Sequence, residues 1–208
     1  MKKCSGAIKM FYQEEYHKSM ELLELGASAY RQGRYDEAKR YYEQSAELGS
    51  SQAACNLGYI YAYGRTGERD DEQAFYWFNL AAVDGNANAC YKVGDAYYYG
   101  DFVASNPALA FRYYKKAADY LDYSDTDDDI KADIFYRLAL CYFKGSGVQL
   151  DLLQALSYVN QAETYSYYDR FNDKFMWESV AKRIETLRAQ IIAKLDAQFA
   201  ELKSDNDA

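Results

Sequence analysis

The residues of this chain equipped for chemistry are one histidine, four cysteines and several clusters of aspartate and glutamate. His17 follows Glu14 and Glu15, and a histidine beside carboxylates is a common start for acid–base work. No nucleophile is placed with it, so it reads as a solvated surface side chain. Asp125, Asp127 and Asp129 have the first three spacings of a calcium loop. Ile130, however, stands where such a loop needs glycine, and Tyr136 where it needs a bidentate glutamate. The same aspartates serve more simply as cap and dipole charges for a following helix. Cys4, Cys55, Cys90 and Cys141 form no C-x-x-C pair, and one histidine cannot complete a zinc set. They read as small buried residues in a reducing compartment. Asp70-Asp71 sits where a helix begins. No glycine-rich phosphate loop follows a strand pattern, and no serine–lysine motif occurs. No catalytic residue, metal ligand or cofactor is therefore assigned.

The elements that carry these residues read as helices. Of 208 residues half are apolar and one is proline, which suits one domain with a real core and argues against disorder. Tyrosine is the outlier, with 24 copies. It buries a large ring yet needs a partner for its hydroxyl, so it suits both ring-packed helices and interaction faces. The net charge of −8 repels phosphate backbones and anionic lipid, which excludes nucleic acid and membrane surfaces as partners. Met1-Lys2-Lys3 is followed by no apolar signal core, and the longest mostly apolar stretch, Phe75 to Val83, is far below a membrane span. The expectation is a soluble, cytoplasmic chain.

Internal repetition organises the sequence. Leu25-Gly26, Leu57-Gly58, Val93-Gly94 and Leu138-Ala139 take equivalent places. Each is followed by an alanine, Ala38, Ala74, Ala110 and Ala155, then by an aromatic three residues on: Tyr41, Trp77, Tyr113 and Tyr158. Small residues follow at seven and eight positions beyond each alanine: Ser45-Ala46, Ala81-Ala82 and Ala117-Ala118, then Ala162 with Glu163. Small residues let helix backbones approach, and the ring three residues on is expected to fill the adjoining gap. Each unit thus reads as two antiparallel helices joined at a glycine: Gly33, Gly64, Gly100 or Gly145. One pair cannot bury its own apolar face, so neighbours must stack.

The run Leu138-Ala139-Leu140-Cys141-Tyr142-Phe143-Lys144-Gly145-Ser146-Gly147-Val148-Gln149-Leu150-Asp151, ending in Ala155, resembles a Sel1-like repeat. The family's pattern is L-G-x-x-Y-x-x-G-x-G-V-x-x-D-x-x-K-A, departed from here at Ala139 and Gln154. The second unit keeps Tyr61, Gly64, Asp70 and Ala74, and the third keeps Tyr97, Gly100, Val103 and Ala110 with Asn106 for the aspartate. The first, from Leu25-Gly26 through Gly33-Arg34-Tyr35-Asp36-Glu37-Ala38 to Ala46, looks like a tetratricopeptide repeat. The resemblance implies an all-α, right-handed α-α superhelical solenoid of about four helix-turn-helix repeats with a long C-terminal capping helix. Some members join consecutive helices by cysteines with seven residues between them. The partner positions here hold Glu47, Ala82 and Asp133, so that bridge does not form.

The expected organisation is an N-terminal segment over 1–19, a repeat solenoid over 20–168 with units at 20–50, 51–86, 87–129 and 130–168, and a cap over 169–208. The N-terminal segment reads as a short helix or as partly disordered. The spacing between third and fourth units grows by nine residues, within the acidic insertion 121–129. In the last segment Trp177, Val180, Ile184, Leu187 and Ile191 step three, four, three, four as a heptad seam. Two readings stand for it: a cap packed on the fourth unit, or a helix that makes a homodimer with a second copy.

In proteins similar to this one, the first helix of each pair lines an inner groove. Helical spacing selects Tyr30 and Arg31 in the first unit, and Gln52, Cys55, Tyr59 and Tyr63 in the second. It selects Asn88, Tyr91, Asp95, Tyr98 and Tyr99 in the third, and Tyr136, Phe143 and Lys144 in the fourth. A stripe of tyrosine anchors with amides suits a protein or peptide partner. The expected function is a protein–protein interaction scaffold or adaptor, including a neutralising partner of a toxin or effector. The alternative is an enzyme or small-ligand binder, for example a hydrolase of cell-wall-type substrates.

Overall fold

The computed structural model describes the backbone of residues 2–121 and 128–206, and the side chains of residues 12–121 and 130–203. The expected calcium-like run and most of the acidic insertion 121–129 lie outside the described residues, as does the Cys4 side chain. Nine helices occur among those described: α1 (Lys2–Arg31), α2 (Tyr35–Glu47), α3 (Ser51–Ala62), α4 (Asp71–Val83), α5 (Ala87–Tyr99), α6 (Pro107–Asp119), α7 (Asp128–Lys144), α8 (Leu152–Phe171) and α9 (Trp177–Asn206). The chain is an all-α solenoid of helix-turn-helix repeats, pairing α1 with α2, α3 with α4, α5 with α6 and α7 with α8. α1 runs unbroken from Lys2, and α8 and α9 are separate helices.

Polar side chains start the helices. Ser50 accepts from the Ala53 N–H at 3.1 Å, Asp70 from Gln73 at 2.9 Å, and Asn86 from Ala89 at 2.8 Å. Asn106 accepts from Leu109 at 3.1 Å, with Pro107 in the first turn, and Asp151 accepts from Leu153 and Gln154. Each satisfies an N–H that the helix itself leaves orphaned. Gly64, at φ 57°, ends the turn after α3, where an added Cβ would lie 2.9 Å from backbone atoms of Gly67 and Arg69.

Two compact units divide the chain, Met1–Val93 and Gly94–Ala208, with the division inside α5. In the first, Ala29, Ala38, Tyr42, Ala53, Leu57 and Ile60 form the core. α1 and α2 approach closely enough for Ser19 and Ser45 to exchange hydrogen bonds, with the Ser45 hydroxyl donating to the Ser19 carbonyl at 2.7 Å. Of the small residues the repeat pattern marks, Ser45, Ala81, Ala117 and Ala162 are fully buried and Ala82 nearly so, whereas Ala46 and Ala118, one position on, are half-buried. In the second unit α7 packs on α6, α8 and α9. Val180, Ile184, Leu187, Ile191 and Leu195 of α9 are buried there, which places the heptad seam inside the unit.

One expectation about packing is corrected. The rings three residues after each repeat alanine are only half-buried. It is the residue four on, Tyr42, Phe78 or Tyr114, that fills the gap. A Cβ added at Gly26 would lie 2.5 Å from the Tyr42 ring, at Gly58 2.6 Å from Phe78, and at Gly94 2.7 Å from Tyr114. Three and four residues along a helix differ by about 100° of rotation. That is enough to exchange a ring facing the partner helix for one at its flank. In the fourth repeat Ala139 replaces the glycine and the smaller Val159 replaces the ring, both fully buried. A larger residue on one helix is matched by a smaller one on the other.

Candidate interaction face

The first helices present their groove candidates in a repeating register of 36 residues between second and third repeats and 45 between third and fourth. Gln52 and Tyr59 of α3 and Tyr63, which caps its C-terminus, match Asn88, Asp95 and Tyr99 of α5. Tyr63 and Tyr99 are 57 % and 53 % exposed, Gln52 and Lys144 are exposed, and Tyr30, Tyr59, Asn88, Asp95, Tyr98, Tyr136 and Phe143 are half-buried. Arg31 is exposed at the end of α1, where its charge suits the helix C-terminus.

Cys55 and Tyr91 do not belong to this face. Cys55 is fully buried and Tyr91 only 8 % exposed. They occupy one repeat position, 36 residues apart, and that position turns into the packing between helices. The next residue comes to the surface instead, so the exposed or half-exposed stripe of α3 runs Gln52, Asn56, Tyr59 and on to the capping Tyr63, and that of α5 Asn88, Lys92, Asp95, Tyr99. The fourth repeat reverses this: Arg137, in register with Asn56 and Lys92, is buried, and Tyr136, in register with Cys55 and Tyr91, is half-buried. A polar residue between apolar neighbours, recurring with the repeat, was the signal for the register.

In the first unit these side chains tie successive first helices together. The Tyr59 hydroxyl donates to Asn88 Oδ1 at 2.6 Å, and the Asn86 amide donates to Gln52 Oε1 at 3.1 Å. Gln52 in turn donates to Asn56 at 3.1 Å. The Lys92 ammonium lies 5.2 Å from the centres of the Tyr59 and Tyr91 rings. Arg65, in the turn after α3, donates to the Tyr30 hydroxyl at 3.1 Å and lies against the Tyr30, Tyr35 and Tyr63 rings. Cations over ring faces hold the rings in place while leaving their edges accessible.

In the second unit Arg137 is the hub, 8 % exposed at its side chain. Its Nε donates to Asp95 Oδ1 at 2.9 Å, and its Nη2 approaches Asp95 Oδ2 at 3.4 Å. The Tyr114 hydroxyl donates to the same carboxylate at 2.7 Å. Arg137 also lies 5.1 to 6.0 Å from the Tyr98, Tyr99 and Tyr136 ring centres. Burial, reinforced by the Asp95 charge, pushes the Tyr114 hydroxyl far above its ordinary range, with Arg137 opposing. Burial also pushes the Cys141 thiol up to about 12, against the pull of Arg137 and Lys144. The thiol is thereby kept protonated and unreactive. Lys174 bridges Asp133 at 3.2 Å and Asp169 at 3.1 Å. Among the described residues no group of three histidine, cysteine or acidic side chains is placed to hold a metal ion. What the face supplies is held rings, charges and amides, which is chemistry for recognition.

Comparison with known families bears on the repeat and its fold. The Sel1 repeat profile fits residues 22–50, 51–86, 87–119 and 136–163, more than half of the chain. The chain belongs to the Sel1 repeat family. Its first repeat, which resembles a tetratricopeptide unit in sequence, falls within the Sel1 match as well. Similar proteins include the Arabidopsis thaliana ERAD-associated E3 ubiquitin-protein ligase component HRD3B, 32 % identical over 59 % of this chain and 18 % of that protein. Human protein sel-1 homolog 2 is 34 % identical over 40 % of this chain and 12 % of its own length. The chain thus spans less than a fifth of these relatives. Among solved structures, a Sel1 repeat protein from Oxalobacter formigenes superposes with TM-score 0.60 at 24 % identity, covering 71 % of this chain and 59 % of that one. A protective antigen of uropathogenic Escherichia coli with the same repeat fold gives TM-score 0.51 at 26 % identity, covering 81 % and 36 %. Sel1 repeat proteins generally mediate protein–protein interactions. No helix among the described residues is long and apolar enough to cross a membrane.

Proposed function

We propose that this Sel1 repeat chain is an adaptor that holds a segment of another protein against the tyrosine-bearing face of its first helices. One observation carries the reading. In each unit the rings are of two kinds: Tyr42, Phe78 and Tyr114 are spent on closing the helix pairs, whereas Tyr63 and Tyr99 are more than half exposed at one repeat position. The exposed rings sit on a scaffold of fixed polar contacts, Tyr59 to Asn88 and Arg137 to Asp95, so little side-chain freedom is lost when a partner covers them. Large, pre-ordered aromatic anchors of this type dominate binding energy at interfaces. Arg31 and Tyr30 extend the face within the first unit, and Phe143 and Lys144 within the second.

Replacing Tyr63 and Tyr99 together by alanine is expected to abolish co-purification of the native partner while leaving the far-ultraviolet circular dichroism unchanged. Undiminished co-purification by the folded variant sinks the assignment of this face.

A further inference from the structure

We infer that the second unit carries a cationic, ring-lined strip between α7 and α9 that takes an acidic stretch of polypeptide; this deepens the adaptor reading and rests on it. The chain carries −8 overall, yet the strip is locally positive. On α7, Asp133, Tyr136, Arg137, Phe143 and Lys144 follow one helical stripe. Its carboxylates are already answered: Asp133 by Lys174 at 3.2 Å and Arg183 at 3.6 Å, and Asp95 by Arg137. Two further cations meet rings and hydroxyls instead. Lys194 lies 4.4 Å from the centre of the Phe143 ring, and Lys144 Nζ is 3.3 Å from the Tyr98 hydroxyl. Neither is in an ion pair among the described residues.

α9 itself is sorted by charge. Its exposed flank beside α7 runs Ser179, Arg183, Thr186, Gln190, Lys194, Ala197, with no carboxylate before Glu201, one turn beyond. Arg183 lies 5.5 Å from the centre of the Tyr136 ring, which fixes the direction of this flank. The opposite flank carries Glu185, Arg188 and Asp196, with Arg188 bound to Asn160 and Glu163 of α8. Arg183 and Lys194 are eleven residues apart, about 16 Å along a helix, which an extended peptide spans in about five residues. Carboxylates on such a peptide would meet Arg183, Lys144 and Lys194, with apolar side chains against Tyr136 and Phe143. Nucleic acid would meet the same cations but is repelled by the rest of the chain.

The test is panning of a displayed library of random peptides of about ten residues on the full chain, in parallel with the folded K144E/K194E variant. The expected result is enrichment of peptides with net negative charge, bound at least about tenfold more weakly by the variant and released as salt rises. Enrichment of neutral or basic peptides overturns the inference and leaves the adaptor reading standing. Acidic peptides bound equally well by the variant also overturn it. No enrichment at all overturns both.

Discussion

Replacing Gly94 by alanine sets intrinsic helix preference against the geometry of the repeat. Alanine is favoured over glycine inside a helix by about 1 kcal/mol, so propensity alone makes Gly94→Ala stabilising. The new Cβ, however, would lie 2.7 Å from both Cδ1 and Cε1 of Tyr114, a ring with no exposed surface. Overpacking of that kind costs about 1–3 kcal/mol. The ring cannot slide away freely, because its hydroxyl donates to Asp95 at 2.7 Å, and a strained hydrogen bond to a carboxylate adds about 1.5–3 kcal/mol. The net expectation is a loss of about 1.5–5 kcal/mol in urea denaturation. Tyr114→Val alone leaves a cavity and a carboxylate held by Arg137 only, at about 3 kcal/mol. The double variant copies the fourth repeat, where Ala139 meets Val159. Its loss should be smaller than the sum of the singles by at least about 1 kcal/mol. A stabilised Gly94→Ala, or an additive cycle, refutes the claim that the glycine exists to seat the ring.

Asp95→Ala removes the carboxylate that serves both Arg137 and Tyr114. It should destabilise the chain by about 2–3 kcal/mol, below the full cost for a wholly buried pair because Asp95 is 19 % exposed, and loss under about 0.5 kcal/mol contradicts that role. Alkaline titration follows from Tyr114 and Cys141, whose protons bind more tightly in the folded state than in the unfolded one. Stability from these groups is fully present below about pH 9. It falls as the pH rises past the ordinary thiol and phenol values of 9.0 and 10.0, by up to about 1.4 kcal/mol per group per pH unit. A flat stability profile between pH 9 and 11, measured by urea denaturation with reductant present, contradicts the burial of both.

Much of the fold was legible because repetition makes local signals collective. Small residues at Ala38, Ala74, Ala110 and Ala155, and again seven residues on, are all buried. The caps Asp70 and Asp151 could be read from their own neighbours. What could not be read was rotation. A first helix buries more than half its circumference, so steps of three and four select a stripe whose edges are ambiguous by one residue. Cys55 and Tyr91 fell on the wrong edge, and Asn56, Lys92 and Arg137 were passed over. Arg137 carries no local signal of its role, because its partner, Asp95, lies 42 residues away. The ring four residues beyond each repeat alanine escaped notice for a related reason: only the partner glycine shows which ring it receives.

The adaptor reading is tested most directly by placing a photo-crosslinking benzophenone amino acid at Tyr63, at Tyr99 and at Tyr76, one at a time, in cells that make the protein. Tyr76 is the control: it is as exposed as the other two, at 56 %, but lies on α4, a second helix. Covalent adducts to one discrete protein partner are expected from Tyr63 and Tyr99 and not from Tyr76. Equal adducts from all three positions, or adducts from Tyr76 alone, contradict the account.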